Sequence, residues 1–165
     1  MRKLAITIAF LTSLSTSFSV SADEDNPSVS VKRLTMDAAL KVAQGAIEAC
    51  REKGVQAGAT VVDRNGIIQA ALRDTLAPQI TLPISKGKAL AAVNFGVATA
   101  QLVDRANTPI GRVPGLVMST GGLVIEAGGV MYGAVGVSGA PSGKTDEECA
   151  KAGIDAILED LEMAM

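Results

Sequence analysis

The chain has 165 residues, 15 of them basic and 17 acidic, a formal net charge of −2, and neither histidine nor tryptophan. The missing histidine excludes a zinc site, a Ser-His-Asp triad and a histidine-ligated haem as ordinary chemistry within one chain. A slightly acidic balance with no basic cluster and almost no aromatic residues leaves no platform for nucleic acid.

Arg2 and Lys3 precede an apolar stretch over 4–14, interrupted only by Thr7, Thr12 and Ser13. Val20-Ser21-Ala22 then offers small residues to a signal peptidase, and Asp23-Glu24-Asp25 follows at once. This order predicts a cleaved signal peptide over 1–22, and hence a periplasmic or secreted product. The apolar stretch is too short for a permanent membrane anchor, which needs about 20 residues. Residues 23–33 read as a flexible polar leader, and 34–165 as one domain.

Thr35 is a candidate N-cap, and Met36, Leu40, Ala43, Ile47 and Cys50 recur at helical spacing before Gly54, so a helix is expected over 36–53. Two strands, 57–62 and 67–72, flank Asp63-Arg64-Asn65-Gly66, where Asn-Gly suits a tight hairpin. A loop with two prolines is expected over 75–83. A helical stretch should then run from Ser85 toward Arg105, with a break near Gly96 and Thr99 capping a second piece. Most of the 17 glycines fall between Gly111 and Gly143. Within that part, strands are expected over 123–126 and 130–137, joined by a turn at Gly128-Gly129. The second, small and apolar on both faces, reads as a central strand. Thr145 with Glu148 resembles a capping box opening the last helix. The expected class is α/β in the α+β sense: a mainly antiparallel sheet packed against N-terminal, central and C-terminal helices. Cys50 ends the first helix and Cys149 begins the last. In an oxidising compartment their pairing is the expected outcome, two buried free thiols being the alternative.

Chemistry-bearing residues are sparse. Gly139-Ala140-Pro141-Ser142-Gly143-Lys144-Thr145 has three residues between its glycines where a phosphate loop needs four, so nucleotide hydrolysis is not expected. The backbone N–H groups after Gly143, with Lys144 beside them, can still hold an anion, although a capped helix explains the segment equally well. Arg73-Asp74 reads as a ligand clamp or a plain surface pair. Lys86 and Lys88 read as solvated helix residues. Asp146, Glu147 and Glu148 suit the positive end of a helix dipole. Met118 and Met131 read as core filler rather than metal ligands. Tyr132 is the only tyrosine; its hydroxyl can ligate haem iron, but strand alternation does not reveal its face. No pair of groups makes a convincing acid and base.

Three stretches together resemble the GlcG/HbpS family of small haem-binding or haem-degrading proteins, whose domain also forms the C-terminal part of PduO proteins. They are Gly121-Gly122-Leu123-Val124-Ile125, the run from Gly129 to Ala140, and Asp146-Glu147 through Ala150 to Ala152-Gly153. Upstream, Val61-Val62-Asp63-Arg64-Asn65-Gly66 resembles the family's Val-x-Asp-x-x-Gly hairpin, and Lys88-Ala89 with Phe95 and Thr99 its central helix. The likeness spans about residues 34–160. It implies a layered domain, homo-oligomers and, in some exported members, haem binding with redox sensing. Where members often carry a histidine after the Arg-Asp region, this chain has Gln79. Tyrosine, methionine, lysine or a threonine hydroxyl is then left as the axial group. The expected cofactor is therefore haem, held in a glycine-lined cleft between the sheet and the last helix by Arg73, Gly121, Gly122, Tyr132, Ser138, Gly139 and Lys144. The expected role is carriage or sensing. The alternatives are a binder of another small anionic cofactor, an accessory oligomer without ligand, and a haem-degrading enzyme.

Overall fold

A computed structural model describes residues 27–164. The expected signal peptide and most of the expected leader lie outside them. The chain divides at Ser30/Val31. Of the first part only 27–30 is described, exposed and without helix or strand. Every described helix and strand belongs to the second part.

Helix α1 (Met36–Glu52) starts on Thr35, whose hydroxyl accepts from the Ala38 N–H. It closes with Val55 N donating to Cys50 O and Gly54 in the left-handed region, the geometry expected of a glycine just past a helix end. Strands β1 (Gly58–Asp63) and β2 (Ile68–Arg73) come next. In their hairpin only Gly66 has a positive φ. Asp63 supplies the rest: its Oδ1 accepts from the N–H groups of Asn65 and Ile67, both at 2.9 Å.

Helix α2 (Thr81–Phe95) begins four residues before the expected Ser85. Pro83 lies in its first turn, where a missing N–H costs nothing. The break at Gly96 is present, and the second piece is a tighter 3₁₀ turn, Thr99–Arg105, preceded by Ala98. Thr99 is not its cap. The hydroxyl is buried and accepts instead from the Gly122 N–H at 2.8 Å, tying the turn to the sheet. A short turn, Ile110–Arg112, leads on to β3 (Gly122–Ala127), β4 (Val130–Ser138) and α3 (Gly143–Met163). The cap of α3 is Ser142, which accepts from the Lys144 N–H; Thr145 already lies inside the first turn, so the expected Thr145–Glu148 box does not form.

The four strands run in the order β2-β1-β4-β3, every pair antiparallel, and β4 is central as its two-sided apolar pattern indicates. Helices α1 and α3 cover one face, with Ala59, Val61, Val135 and Val137 beneath them. Helix α2 covers the other, over Val62 and Ala134. This second contact is very close. A Cβ at Gly136 would sit 2.0 Å from Ser85 O, so only glycine lets α2 lie on the strand. Gly153 plays the same part between α3 and α1, where a Cβ would meet Val42 O at 2.3 Å. Cys50 and Cys149 are joined, Cα atoms 5.4 Å apart, both fully buried. The disulfide pins the C-terminal end of α1 to the N-terminal end of α3. Among the described residues, no helix is long and apolar enough to cross a membrane.

Candidate functional site

The structure distributes the seven expected site residues over several places. Gly121 and Gly122 are buried against close neighbours. A Cβ on Gly121 would meet Lys88 Nζ and Asp146 Cβ at 2.7 Å each, and one on Gly122 would meet Lys88 O at 2.6 Å. The space beside them is filled by an ion pair, Lys88 Nζ to Asp146 Oδ2 at 2.7 Å, with each residue 3% exposed. Lys88 is thus not solvated. It also donates to Val137 O at 2.8 Å, while Asp146 Oδ1 accepts from the Ala140 N–H at 2.9 Å. Two buried charges with several hydrogen bonds hold α2, the end of β4 and the start of α3 together. The sequence carried a signal for this. Thr81, Ser85, Lys88 and Ala92 recur at helical spacing and all four are buried, while the other polar residues of the helix, Lys86 and Asn94, are exposed. A lysine on such a stripe needs a partner, and only a neighbouring element can supply it.

Ser138 is buried at the end of β4, and Gly139 borders an open groove with Lys53, Gln56, Ser142 and Glu148. In that groove Lys53 is taken by Glu148 at 2.9 Å, which holds the Glu148 carboxyl below its usual range. Lys144 lies beside a different hollow with Leu123 and Lys151. Arg73 and Asp74 do not pair. Arg73 donates to the carbonyls of Asp74, Thr75 and Ala77, closing its own loop. The buried Asp74 carboxylate receives Arg51 of α1 in a two-pronged bond, 2.7 Å on each arm. That bond holds the Asp74 carboxyl below its usual range and raises Arg51.

Tyr132 remains, and the sheet decides its direction. Ile125 pairs with Gly133 and Glu126 with Met131, which leaves Tyr132 as the extra residue of a β-bulge. Met131 consequently packs on the α2 side, and Tyr132 turns to the α1/α3 side. It is 6% exposed and forms part of a cleft of about 370 Å³ between the N-terminal end of α1 and the C-terminal end of α3. The apolar lining is Leu34, Ala38, Ile157 and Leu161; the polar lining includes Lys32, Arg33, Lys41, Asp37 and Asp160. Lys41 spans the two helices to Asp160 at 3.5 Å. The Tyr132 hydroxyl makes no hydrogen bond among the described residues. No group of three or more metal-ligating side chains occurs among them either.

A fold of this order has counterparts among solved structures. Residues 34–155 match the family model described as haem degrading protein HbpS-like, and the chain belongs to that family. A crystal structure of HbpS superposes with a TM-score of 0.74 at 33% identity, covering 79% of this chain and 94% of that one. A double mutant of HbpS from Streptomyces reticuli gives 0.73 at 32% identity, with 87% and 98% covered. The haem complex of PduOC gives 0.69 at 23% identity, with 76% and 95% covered, a likeness of fold. None of the curated proteins matches the sequence.

Proposed function

We propose that this chain is an exported binder of a small planar anion, with haem the first candidate, and that the guest seats in the cleft beside Tyr132. The carrying observation is the chain's single phenol, a largely buried side chain whose hydroxyl makes no hydrogen bond among the described residues, in a cleft with apolar walls whose polar lining carries Lys32, Arg33 and Lys41 beside Asp37 and Asp160. Those residues fit the chemistry of haem. Leu34, Ile157 and Leu161 suit the tetrapyrrole, lysine and arginine suit its carboxylates, and a phenol oxygen is an axial group that iron accepts. At about 370 Å³ the cleft is at the small end of ligand pockets, so such a guest would be partly exposed. Membership of the HbpS-like family and the haem complex formed by PduOC support the same reading. Carriage or sensing is the role proposed.

Titration of the purified protein with hemin, followed through the Soret band, is the test. A saturable, stoichiometric shift is expected in the wild type, with a weaker or spectrally altered complex in Tyr132→Phe. The absence of any saturable shift would overturn the reading. The family description favours haem breakdown as a second reading. Repeating the titration with a reductant separates the two, since breakdown bleaches the Soret band and releases iron. A homo-oligomer is also proposed. Its support is the outer strand β2, paired only with β1, and the exposed Ile67, Ile68, Leu76 and Ile80 in or beside it.

A further inference from the structure

The cations that line the Tyr132 cleft differ in how firmly they are held. Lys41 meets Asp160 at 3.5 Å with both side chains mostly in solvent, a pairing of little strength. Arg33 Nε meets Asp63 Oδ2 at 3.3 Å, an ion pair in which the arginine side chain is half exposed and the carboxylate is buried. Asp63 is itself buried, and its other oxygen is fixed by two backbone N–H groups of the β1–β2 hairpin. One carboxylate therefore shapes the turn and orients the guanidinium. The terminal nitrogens of Arg33 make no hydrogen bond among the described residues, and the residue lines the cleft. A planar fork steadied on one side by a buried carboxylate, with its terminal N–H groups free, matches a carboxylate in geometry and has less freedom to lose than an unpaired one.

We infer that Arg33 selects for a free carboxylate on the guest, and that Asp63 is the positioning residue that holds Arg33 ready. The inference rests on the cleft as the binding site and adds its ligand class: an apolar planar body bearing an unesterified acid. The Asp63 of the hairpin motif, which reads in the sequence as a turn residue alone, then serves the cleft as well.

Protoporphyrin and its dimethyl ester, both metal-free, differ only in those carboxylates, so iron ligation by Tyr132 does not enter the comparison. Fluorescence titration of the wild type should favour the free acid by about tenfold. Arg33→Gln should bring the two affinities together by weakening the acid alone, and Arg33→Lys should restore part of the preference. Asp63→Asn, with an unchanged circular dichroism spectrum as its folding control, should lower the acid-to-ester ratio while leaving the ester affinity unchanged. A purely structural role for Asp63 would weaken both forms alike. Equal affinities in the wild type, or a full preference retained in Arg33→Gln, overturn the inference while the cleft survives. Binding of neither porphyrin, and none of hemin, overturns the cleft reading and this inference together.

Discussion

Lys88 and Asp146 carry charge into a region that excludes water, which makes each dependent on the other. Replacing Lys88 with Met, or Asp146 with Asn, strands a buried partner and should cost about 3–5 kcal/mol. The double variant should cost less than the sum by about 1–3 kcal/mol, because removing both leaves no unpaired charge. Urea unfolding of the four proteins measures this, and strict additivity would contradict the clamp. Asp74 makes a different prediction, one of pH. Its carboxyl is held below the usual range by Arg51, so the stability it supplies is complete above the unfolded carboxylate pKa and is lost as pH falls through the folded one. Asp74→Asn should melt at a lower temperature near neutrality. Its difference from the wild type should shrink between about pH 5 and pH 2. A gap that stays constant over that range would show the carboxylate to be thermodynamically idle.

At the scale of elements, α1 and α3 form an antiparallel pair joined at one end by the disulfide and parted at the other by the Tyr132 cleft. The link spans 99 residues, and in the chain-entropy model its loss costs about 4–5 kcal/mol. Both sulfurs are fully buried, so a thiol reagent reaches them only through an opening of the helix pair. Dithiothreitol should therefore leave the bond intact under native conditions and cleave it once urea is added, as free-thiol counting would record. Rapid reduction of the folded protein would mean that the pair opens readily. The same pair explains why the cleft is found at the far end. Gly153 brings the helices together in the middle, where no guest can enter, and the gap lies beyond it.

The edge strand β2 reaches the proposed cleft, since Gln69 Nε2 donates to Leu34 O at 2.8 Å, whereas the disulfide lies at the opposite end of the α1–α3 pair. The proposed export and the proposed self-association are tested together. Protein recovered from the periplasm of a bacterial host should have the intact mass of a chain beginning at Asp23, with the cysteines oxidised. Light scattering should report more than one subunit. A retained Met1 would end the export proposal, and a monomer at micromolar concentration the assembly proposal.

Much of this architecture is legible in the residues alone, because it depends on local rules. Thr35 and Gly54 bound α1, alternation and glycine turns mark the hairpins, and the doubly apolar β4 announces a central strand. The likeness to the HbpS family and the pairing of Cys50 with Cys149 were also within reach. The site was less so. Gly121 and Gly122 look like the wall of a pocket until Lys88 and Asp146, distant in sequence, are seen to fill the space. The face of Tyr132 depends on a bulge created by its register with β3, which no pattern within β4 encodes. Arg33 belongs to a segment that reads as leader, and only the folded hairpin gives it an anchor. Local sequence determines where each element begins, ends and turns its apolar side, since those preferences act over a few residues. Which side chains share a space was decided by tertiary packing, since it depends on registers and close approaches between segments far apart in the chain.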